Sequence, residues 1–398
     1  MAHCSIAWIQ QSLPVLRQRS IERKTNIHVL NRLQYCSYCR KCKWKLSTFK
    51  YLKMESNNRE ESVACASSAH ESSTTVEDPV TSRKDSNFYR KFQHIPKTLK
   101  DLEFLTFKWK GKYNINYFVD GKESSEPILL VHGFGASIAH WRKNIPFLVE
   151  AGYQVYAVDL LGFGASQKPL LREYSLELWK ELLVDFCWCM RQNKKWILCG
   201  NSIGALLCLM VAYDFPNMVE SLVLLNCAGG LTSFRETELS LPGAILYRLV
   251  RLVLFNSLTG PLFFRNFRTR ENILKLLNQV YIDKDAVDDY LVEMLHLPSL
   301  DEGAEHVFLK TLGGSPGPSP EELLPSISCP ILMLWGEDDP WTPYRKGFHP
   351  GIKFPNYNKN LKLISFPDTG HCPHDERPQL VHQILLPWLQ NNKQVENS

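Results

Sequence analysis

Residues 196–213 read WILCGNSIGALLCLMVAY, in which a polar turn flanked by glycines separates two apolar runs. The first run has the length of a buried strand, and the second is typical of a buried helix. The turn has Gly-x-Ser-x-Gly spacing, which fits a sharp strand-to-helix elbow that lifts the Ser202 side chain out of the edge of a sheet. Gly200 and Gly204 are expected to keep that turn free of side-chain clashes.

Short apolar runs of the same kind recur along the chain and indicate further strands. Helical patterns lie between several of them, and the alternating stretch 104–122 is typical of a β-hairpin. Strand and helix repeated in this order predict an α/β fold, with a mostly parallel sheet flanked by helices. The further runs are PILLVHG (127–133), YQVYAVDL (153–160), SLVLLNCAG (221–229), CPILMLWGE (329–337) and LKLISFPD (361–368).

The strand pattern stops at about residue 231, and only helical stretches and a breaker-rich segment follow it up to residue 326. A helical insertion of this length between two strands of one sheet predicts a cap over the active edge of the sheet. The predicted segments are a leader over 1–65, a disordered linker over 66–95, the first part of the core over 96–230, the cap over 231–326, the second part of the core over 327–390 and a tail over 391–398.

The basic residues are concentrated in residues 1–65, which hold twelve Lys and Arg against four Asp and Glu. That net charge of +8 leaves −3 for residues 66–398, because the whole chain carries +5. A core without a positive excess disfavours nucleic acid as a partner. The leader is acid-poor and lacks a long apolar stretch, and VACA (63–66) resembles a chloroplast processing motif. It is therefore predicted to be a chloroplast transit peptide, with a disordered basic tail as the alternative.

Two patterns that suggest a cofactor or metal are incomplete. GFGAS occurs at 133–137 and 162–166, but a dinucleotide site needs a third glycine where this chain has Ile138 and Gln167. CSYCRKC (36–42) resembles a metal spacing but lacks a nearby fourth ligand. The cysteines after residue 66 lie mostly in apolar runs and are expected to be reduced core residues. No metal and no cofactor is expected.

A serine hydroxyl is a poor nucleophile until a base takes its proton, so Ser202 needs a His and an acid that orients it. LMLWGEDDPWTP (332–343) places Asp338 and Asp339 at the end of one predicted strand. His371 follows the next strand, in a tight turn after a glycine. The order Ser, Asp, His is the one that serine elbows of this type use.

Attack by serine creates an oxyanion, which needs two convergent N–H donors. The backbone N–H of Ile203, directly after Ser202, is one candidate, and the N–H of Phe134 in the HGFG segment is the other. His132 is expected to brace that segment rather than act as a base. His374 is assigned a local role, and Asp368 is explained as a turn residue.

With these residues in place, residues 100–390 resemble the α/β-hydrolase superfamily. Within it, the chain is most similar to chloroplast hydrolases of the chlorophyll dephytylase type and is more distantly similar to pheophytinases. The matching stretches are LVHGFGASIAHWRKNIP (130–146), VYAVDLLGFGASQKP (155–169), GNSIGALLC (200–208), LVLLNCAGG (222–230), RENILKLLNQVYIDKDAVDDYLVE (270–293) and GHCPHDERPQLVHQILLPWL (370–389).

The resemblance implies hydrolysis of the phytyl ester of chlorophyll to chlorophyllide and phytol, at or near the thylakoid membrane. The reaction would pass through an acyl intermediate on Ser202. Residues 336–343 reproduce the Gly-x-x-Asp-x-x-x-Pro arrangement of related hydrolases, which assigns the acid to Asp339 rather than Asp338.

A phytyl chain needs a long apolar slot, which the cap is expected to supply, although packing within the cap is the simpler explanation for any single residue. Arg265, Arg268 and Arg270 are either a contact with an anionic membrane surface or a solvated basic face. The best candidate for a membrane span, 241–264, is interrupted by two arginines, so a soluble or peripherally attached protein is expected. The candidate slot residues are Ile245, Leu249, Leu252, Phe263 and Phe264.

Two other functions fit the same residues. The first is a chloroplast esterase that acts on another lipid or pigment ester, because the shape of the cap selects the substrate. The second is a ligand receptor without catalysis, because this fold also carries small-molecule sensors. In each case the expected partner is a small hydrophobic molecule.

Overall fold

The computed structural model describes residues 103–231, 241 and 259–396. Several sequence predictions fall outside these ranges, so the structure does not bear on them. They are the leader over 1–65, the linker over 66–95, the cysteine cluster at 36–42 and the slot residues Ile245, Leu249 and Leu252.

Eight strands form one sheet in the order β1-β2-β4-β3-β5-β6-β7-β8. The pairs β1-β2 and β2-β4 are antiparallel, and every other neighbouring pair is parallel. The predicted α/β fold with a mostly parallel sheet is therefore confirmed. The strands are β1 (Phe104–Trp109), β2 (Tyr113–Asp120), β3 (Pro127–Val131), β4 (Gln154–Val158), β5 (Trp196–Asn201), β6 (Val219–Leu225), β7 (Ile331–Gly336) and β8 (Leu361–Phe366).

Helices connect the parallel strands, and within the described ranges none is long and apolar enough to cross a membrane. The α-helices are α1 (Ile145–Glu150), α2 (Leu176–Met190), α3 (Ile203–Asp214), α4 (Thr259–Phe267), α5 (Arg270–Val280), α6 (Asp289–Ser299), α7 (Ala304–Leu312), α8 (Pro320–Leu323), α9 (Pro373–Glu376) and α10 (Pro378–Glu396). The 3₁₀ helices are Ile138–Trp141, Pro216–Met218, Lys284–Ala286, Leu324–Ser326 and Gly351–Asn356.

The central strands are apolar along their whole length because both faces of the sheet are covered. In β3, Leu129 and Val131 belong to one hydrophobic cluster, whereas Ile128 and Leu130 belong to another. Side chains alternate between the two faces of a strand, so the two clusters lie on opposite sides of the sheet. This explains why the strands read as continuous apolar runs rather than alternating ones.

Between β6 and β7 the described residues form helices and no strand. In this interval α5 packs on α6, and α4 packs on α7. The side chains of Thr269 and Asp288 cap α5 and α6 by accepting backbone N–H groups of the first turn. The described residues of this interval are thus mostly helical, and the cap over 231–326 remains a prediction.

Candidate active site

Ser202 occupies the turn between β5 and α3, with φ 58° and ψ −122°. A positive φ is uncommon for a residue with a side chain and often marks a functional position. A Cβ on Gly200 would lie 2.4 Å from the Gly204 carbonyl carbon, and a Cβ on Gly204 would lie 2.3 Å from the Val131 oxygen. The two glycines therefore allow the helix to start directly against the strands, which leaves Ser202 at the sheet edge.

The carboxyl ends of the parallel strands bring the candidate acid and base together. The Asp339 Oδ2 atom lies 2.6 Å from Nδ1 of His371, and both side chains are buried. Burial raises the pKa of Asp339, but His371 and the hydrogen bonds from Thr342 outweigh it and hold the pKa below its usual value. Asp339 is therefore ionised beside the imidazole.

The other two aspartates of the predicted set are exposed to solvent. Asp338, next to Asp339, contributes its backbone N–H to the Thr369 oxygen at 3.0 Å, while its side chain faces outward. Asp368 has φ 50° and stands in an exposed turn. Of these three carboxylates, Asp339 is the one that bonds to His371.

Sequence reasoning missed Asn226, which directly follows β6. Its Nδ2 donates to Asp339 Oδ2 at 2.7 Å, and its Oδ1 accepts the backbone N–H of Gly336 at 3.0 Å. The Thr342 hydroxyl also donates to Asp339 Oδ2 and lies 3.4 Å from His371 Nδ1. A polar residue at the end of an otherwise apolar strand was the available signal for Asn226.

The backbone of His371 is also held in place. Its N–H donates to the Val280 oxygen in the cap at 2.9 Å, and its oxygen accepts from Asn201 Nδ2 at 3.1 Å. Because Nδ1 is bonded to Asp339, Nε2 is the ring nitrogen that is left for a serine hydroxyl. Trp341 stands edge-on to the imidazole, with 5.2 Å between ring centroids.

Phe134 and Ile203, the candidate oxyanion residues, line the same cavity as Ser202. Among the described residues, neither backbone N–H donates a hydrogen bond, so both donors are available to a ligand. His132 is buried, and its Nε2 accepts the Leu160 N–H at 3.0 Å. Its other nitrogen, Nδ1, therefore carries the proton toward the Gly133 oxygen, 2.7 Å away. Burial lowers the pKa of His132, which fits a neutral brace for the loop.

His374 lies apart from the Ser202 cavity, although it is close to His371 in sequence. Its ring packs against Trp141 at 4.4 Å and against His140 at 4.6 Å between centroids. Burial, reinforced by His140, lowers its pKa well below the usual value. His374 is thus a neutral packed side chain.

The cavity has a volume of about 420 Å³ and lies between the sheet edge and helices α4 to α7. Ser202 and His371 are on its wall, and Trp341, Thr342 and His140 are nearby lining residues. Its remaining wall is mostly apolar, which suits a hydrophobic ligand. The aromatic and aliphatic lining residues include Phe134, Phe163, Phe263, Phe264, Phe267, Ile273, Leu276, Leu277, Val280, Met294, Leu295, Val307, Phe308 and Leu312.

Phe263 and Phe264, the two predicted slot residues that the structure describes, both line this cavity. They also pack on Phe308, with ring centroids 6.1 and 5.0 Å apart. Packing within the cap is thus observed for these two residues, and their role in a substrate slot remains a prediction. Leu262, the preceding residue, is 65% exposed.

The three cap arginines have different surroundings. Arg265 is exposed on α4. Arg268 lies over the Phe264 ring and donates to the Ser299 oxygen at 2.9 Å. Arg270 forms an ion pair with Asp289. Arg265 and Arg270 are exposed and Arg268 is half-buried, so membrane contact and a solvated basic face both remain predictions.

A model of the Alpha/beta hydrolase family matches residues 128–384, and the chain belongs to this family. The superfamily predicted from the sequence is therefore confirmed. Members of the family are hydrolases, and esterase-type chemistry is consistent with the residues that surround the cavity.

Three similar proteins illustrate the range of the family. An uncharacterised hydrolase, YugF, of Bacillus subtilis is 26% identical over 276 residues, which cover 69% of this chain and 94% of that protein. A 2-hydroxy-6-oxo-6-(2'-aminophenyl)hexa-2,4-dienoic acid hydrolase of Metapseudomonas resinovorans is 26% identical over 293 residues, or 72% and 90% of the two chains. The chloroplastic pheophytinase of Arabidopsis thaliana is 24% identical over 326 residues, or 71% and 66%.

The fold is shared with solved structures. A serine hydrolase involved in carbazole degradation, the CarC enzyme, superimposes with a TM-score of 0.56 at 24% identity, covering 73% of this chain and 99% of its own.

Proposed function

We propose that the chain is a serine hydrolase that cleaves a hydrophobic carboxylic ester. The observation that carries the proposal is that Ser202, on a strained elbow, and His371, bonded to an ionised Asp339, both open on one largely apolar cavity. A nucleophile, a base and an orienting acid in this arrangement are the requirements of acyl transfer through serine.

In the proposed reaction, His371 Nε2 takes the proton of the Ser202 hydroxyl as its oxygen attacks the ester carbonyl. The N–H groups of Phe134 and Ile203 stabilise the negative charge that develops on the carbonyl oxygen. His371 then gives the proton to the departing alcohol, which leaves an acyl group on Ser202. A water molecule then attacks the acyl group while His371 takes its proton. His371 returns that proton to the Ser202 oxygen as the acid leaves. Asp339 stays ionised and stabilises the imidazolium.

For the substrate we propose the phytyl ester of chlorophyll, with chlorophyllide and phytol as products. Support comes from the apolar wall beneath the cap, from the similarity to pheophytinase and from the resemblance to dephytylases through 270–293. The proposal includes a chloroplast location, supported by the basic, acid-poor leader over 1–65. Import of a fluorescent protein fused behind residues 1–66 into isolated chloroplasts tests the location.

Incubation of the full chain with chlorophyll a and with simple acyl esters tests the activity, beside a Ser202→Ala variant. Chlorophyllide and phytol that form only with the intact serine are the expected result. Turnover of simple esters without pigment conversion would assign another lipid or pigment ester. Binding of pigment in a one-to-one ratio without any turnover would favour a receptor and overturn the hydrolase proposal.

A hydrolase of a 2-hydroxy-6-oxo-dienoic acid is the second candidate. It is favoured by the 26% identity to the Metapseudomonas resinovorans dienoic acid hydrolase. The matched region covers 90% of that protein but only 66% of the pheophytinase. Loss of the absorbance of a 2-hydroxy-6-oxo-dienoate, measured with the same two proteins, distinguishes this reaction from ester hydrolysis.

A further inference from the structure

Glu376, in the short helix after the His371 turn, joins the core to the cap. One carboxylate oxygen, Oε1, accepts the backbone N–H groups of Ile282 at 2.8 Å and Asp283 at 2.9 Å, directly beyond α5. The other oxygen, Oε2, accepts the N–H of Gly370 at 2.8 Å, one residue before His371. The carboxylate therefore connects the two chain segments through three backbone donors.

The same two segments also touch through their backbones. The His371 N–H donates to the Val280 oxygen at 2.9 Å, and a Cβ on Gly370 would lie only 2.0 Å from that oxygen. A side chain at residue 370 would force them apart, so glycine is required for this close approach. The end of α5 and the His371 turn are thus one hydrogen-bonded unit.

A carboxylate suits this position for a chemical reason. Glu376 is buried, and its two oxygens face only N–H donors on the two segments. A glutamine would keep one acceptor but present an amide N–H₂ to a backbone N–H, which leaves buried donors without a partner. The neighbouring Arg377 differs, because its ion pair with Asp283 at 3.0 Å is partly exposed and its replacement would not leave buried N–H groups unpaired.

We propose that Glu376 is a positioning residue for His371. Asp339 fixes the imidazole through Nδ1, while Glu376 and Val280 fix the backbone that carries it, so His371 is held at both its ring and its main chain. The inference rests on the proposed function, in which His371 is the general base for Ser202. On this proposal, the position of His371 is determined by contacts with the cap as well as with the sheet.

The test compares Glu376→Gln and Glu376→Asp with Arg377→Gln, a matched control that weakens the same cap-to-core junction without reaching residue 370. For each full-length protein, kcat and KM are measured on p-nitrophenyl butyrate, the rate of Ser202 labelling is measured with a fluorophosphonate probe, and Tm is measured by circular dichroism. Labelling requires activation of the serine but no ester turnover.

We expect Glu376→Gln to lower kcat and the labelling rate roughly 10- to 100-fold, because a small misplacement of a reacting group has an effect of this size. KM should stay within about twofold, and Arg377→Gln should keep all three values within about twofold. Glu376→Asp keeps the charge but is too short to bridge both segments, so it should also lose kcat. If Glu376→Gln does not fold, the Glu376→Asp variant is used for the comparison.

Three results would overturn the proposal. They are full kcat and labelling in both Glu376 variants, an equal loss in Arg377→Gln, or a rise in KM with kcat retained. If the unaltered protein is labelled but hydrolyses no ester, the proposed function fails, and the labelling rates still decide the role of Glu376. An unaltered protein that the probe does not label at Ser202 would overturn both.

Discussion

The carboxylate of Asp339 receives hydrogen bonds from separate parts of the chain. Oδ1 accepts the N–H groups of Trp341 at 2.7 Å and Thr342 at 3.1 Å, while Oδ2 faces Asn226 and His371. Donors arranged around both oxygens favour the charged form and fix its direction. The local sequence supplies the two backbone donors, but Asn226 comes from a different strand.

Replacing Asp339 by asparagine removes the charge that stabilises an imidazolium and can leave His371 in the wrong tautomer. We expect kcat on p-nitrophenyl butyrate to fall about 10³- to 10⁴-fold. Asp338→Asn is the matched control, because its exposed side chain should change kcat by no more than about twofold. Equal losses in the two variants would show that Asp339 is not the acid.

Another buried carboxylate, that of Asp375, connects the core to the cap through Arg142. Arg142 Nε donates to Asp375 at 2.9 Å, and its Nη1 donates to Asp288 at 2.7 Å. Burial raises the pKa of Asp375, but Arg142 and His140 outweigh it and lower the pKa to about 2. The folded protein therefore holds this proton less tightly than the unfolded chain does.

The stabilisation that follows is present above the unfolded pKa of about 3.9 and is lost as the pH falls through about 2. Asp375→Asn should lower the free energy of unfolding at pH 7 by about 3 to 5 kcal/mol, because Arg142 loses its buried partner. The free energy of unfolding of variant and parent is measured in urea at pH 7 and pH 3. The difference between the two proteins should be smaller at pH 3. A difference that does not change with pH would contradict the assignment. Asp301→Asn is the control, because the exposed Asp301 carboxylate forms an ion pair with Lys168 at 2.8 Å.

At the scale of elements, the site depends on how closely α3 approaches β3. At residue 204, a Cβ would stand only 2.3 Å from the Val131 oxygen, which is closer than any side chain tolerates. The helix start carries the Ile203 N–H, so its distance from the strand also sets the position of one oxyanion donor.

Gly204→Ala should therefore push α3 away from β3 and lower both stability and kcat. We expect a loss of about 1 to 3 kcal/mol in the free energy of unfolding, as for other overpacked sites, with a drop in kcat measured on the same ester. Gly152→Ala is the comparison, because that glycine has a positive φ but open space around a Cβ. A greater loss of kcat at Gly152 would argue against the steric account.

The strands, their helical connections and the positions of Ser202, Asp339 and His371 could be predicted because each follows a local pattern that ends at the same sheet edge. Asn226 and Glu376 could not, because their partners are distant in sequence and depend on how the strands are ordered and how the cap packs. The Val280 contact with His371 is likewise a product of the tertiary fold. Periodicity also gives the helical nature of the cap but not which of its side chains face the cavity.

At the scale of the whole molecule, the cap and the sheet edge enclose the cavity together. Helix α4 presents Phe263 to the cavity while its neighbour Leu262 is 65% exposed. Phe263 is therefore placed to contact a long hydrocarbon chain in the cavity, whereas the exposed Leu262 provides a matched control.

Phe263→Ala should raise KM for a long-chain p-nitrophenyl ester roughly 10-fold, since removing a phenyl contact loses about 1.5 kcal/mol or more of apolar burial. The increase should be smaller for the acetate ester, which cannot reach as far along the wall. Leu262→Ala serves as the control, with KM values measured on both esters. A uniform change across chain lengths would mean that Phe263 only supports packing.

The contact between Val280 and the His371 turn also limits how this chain can be recombined with its relatives. A chimera that exchanges the whole helical insertion would replace Val280, whose oxygen accepts the His371 N–H. It would also replace Ile282 and Asp283, whose N–H groups bind Glu376. Breakpoints placed before α5 should therefore give active hybrids more often than breakpoints at 280–283. New substrate ranges are best sought by exchanging the segment before residue 270 while 270–293 stays with its own sheet.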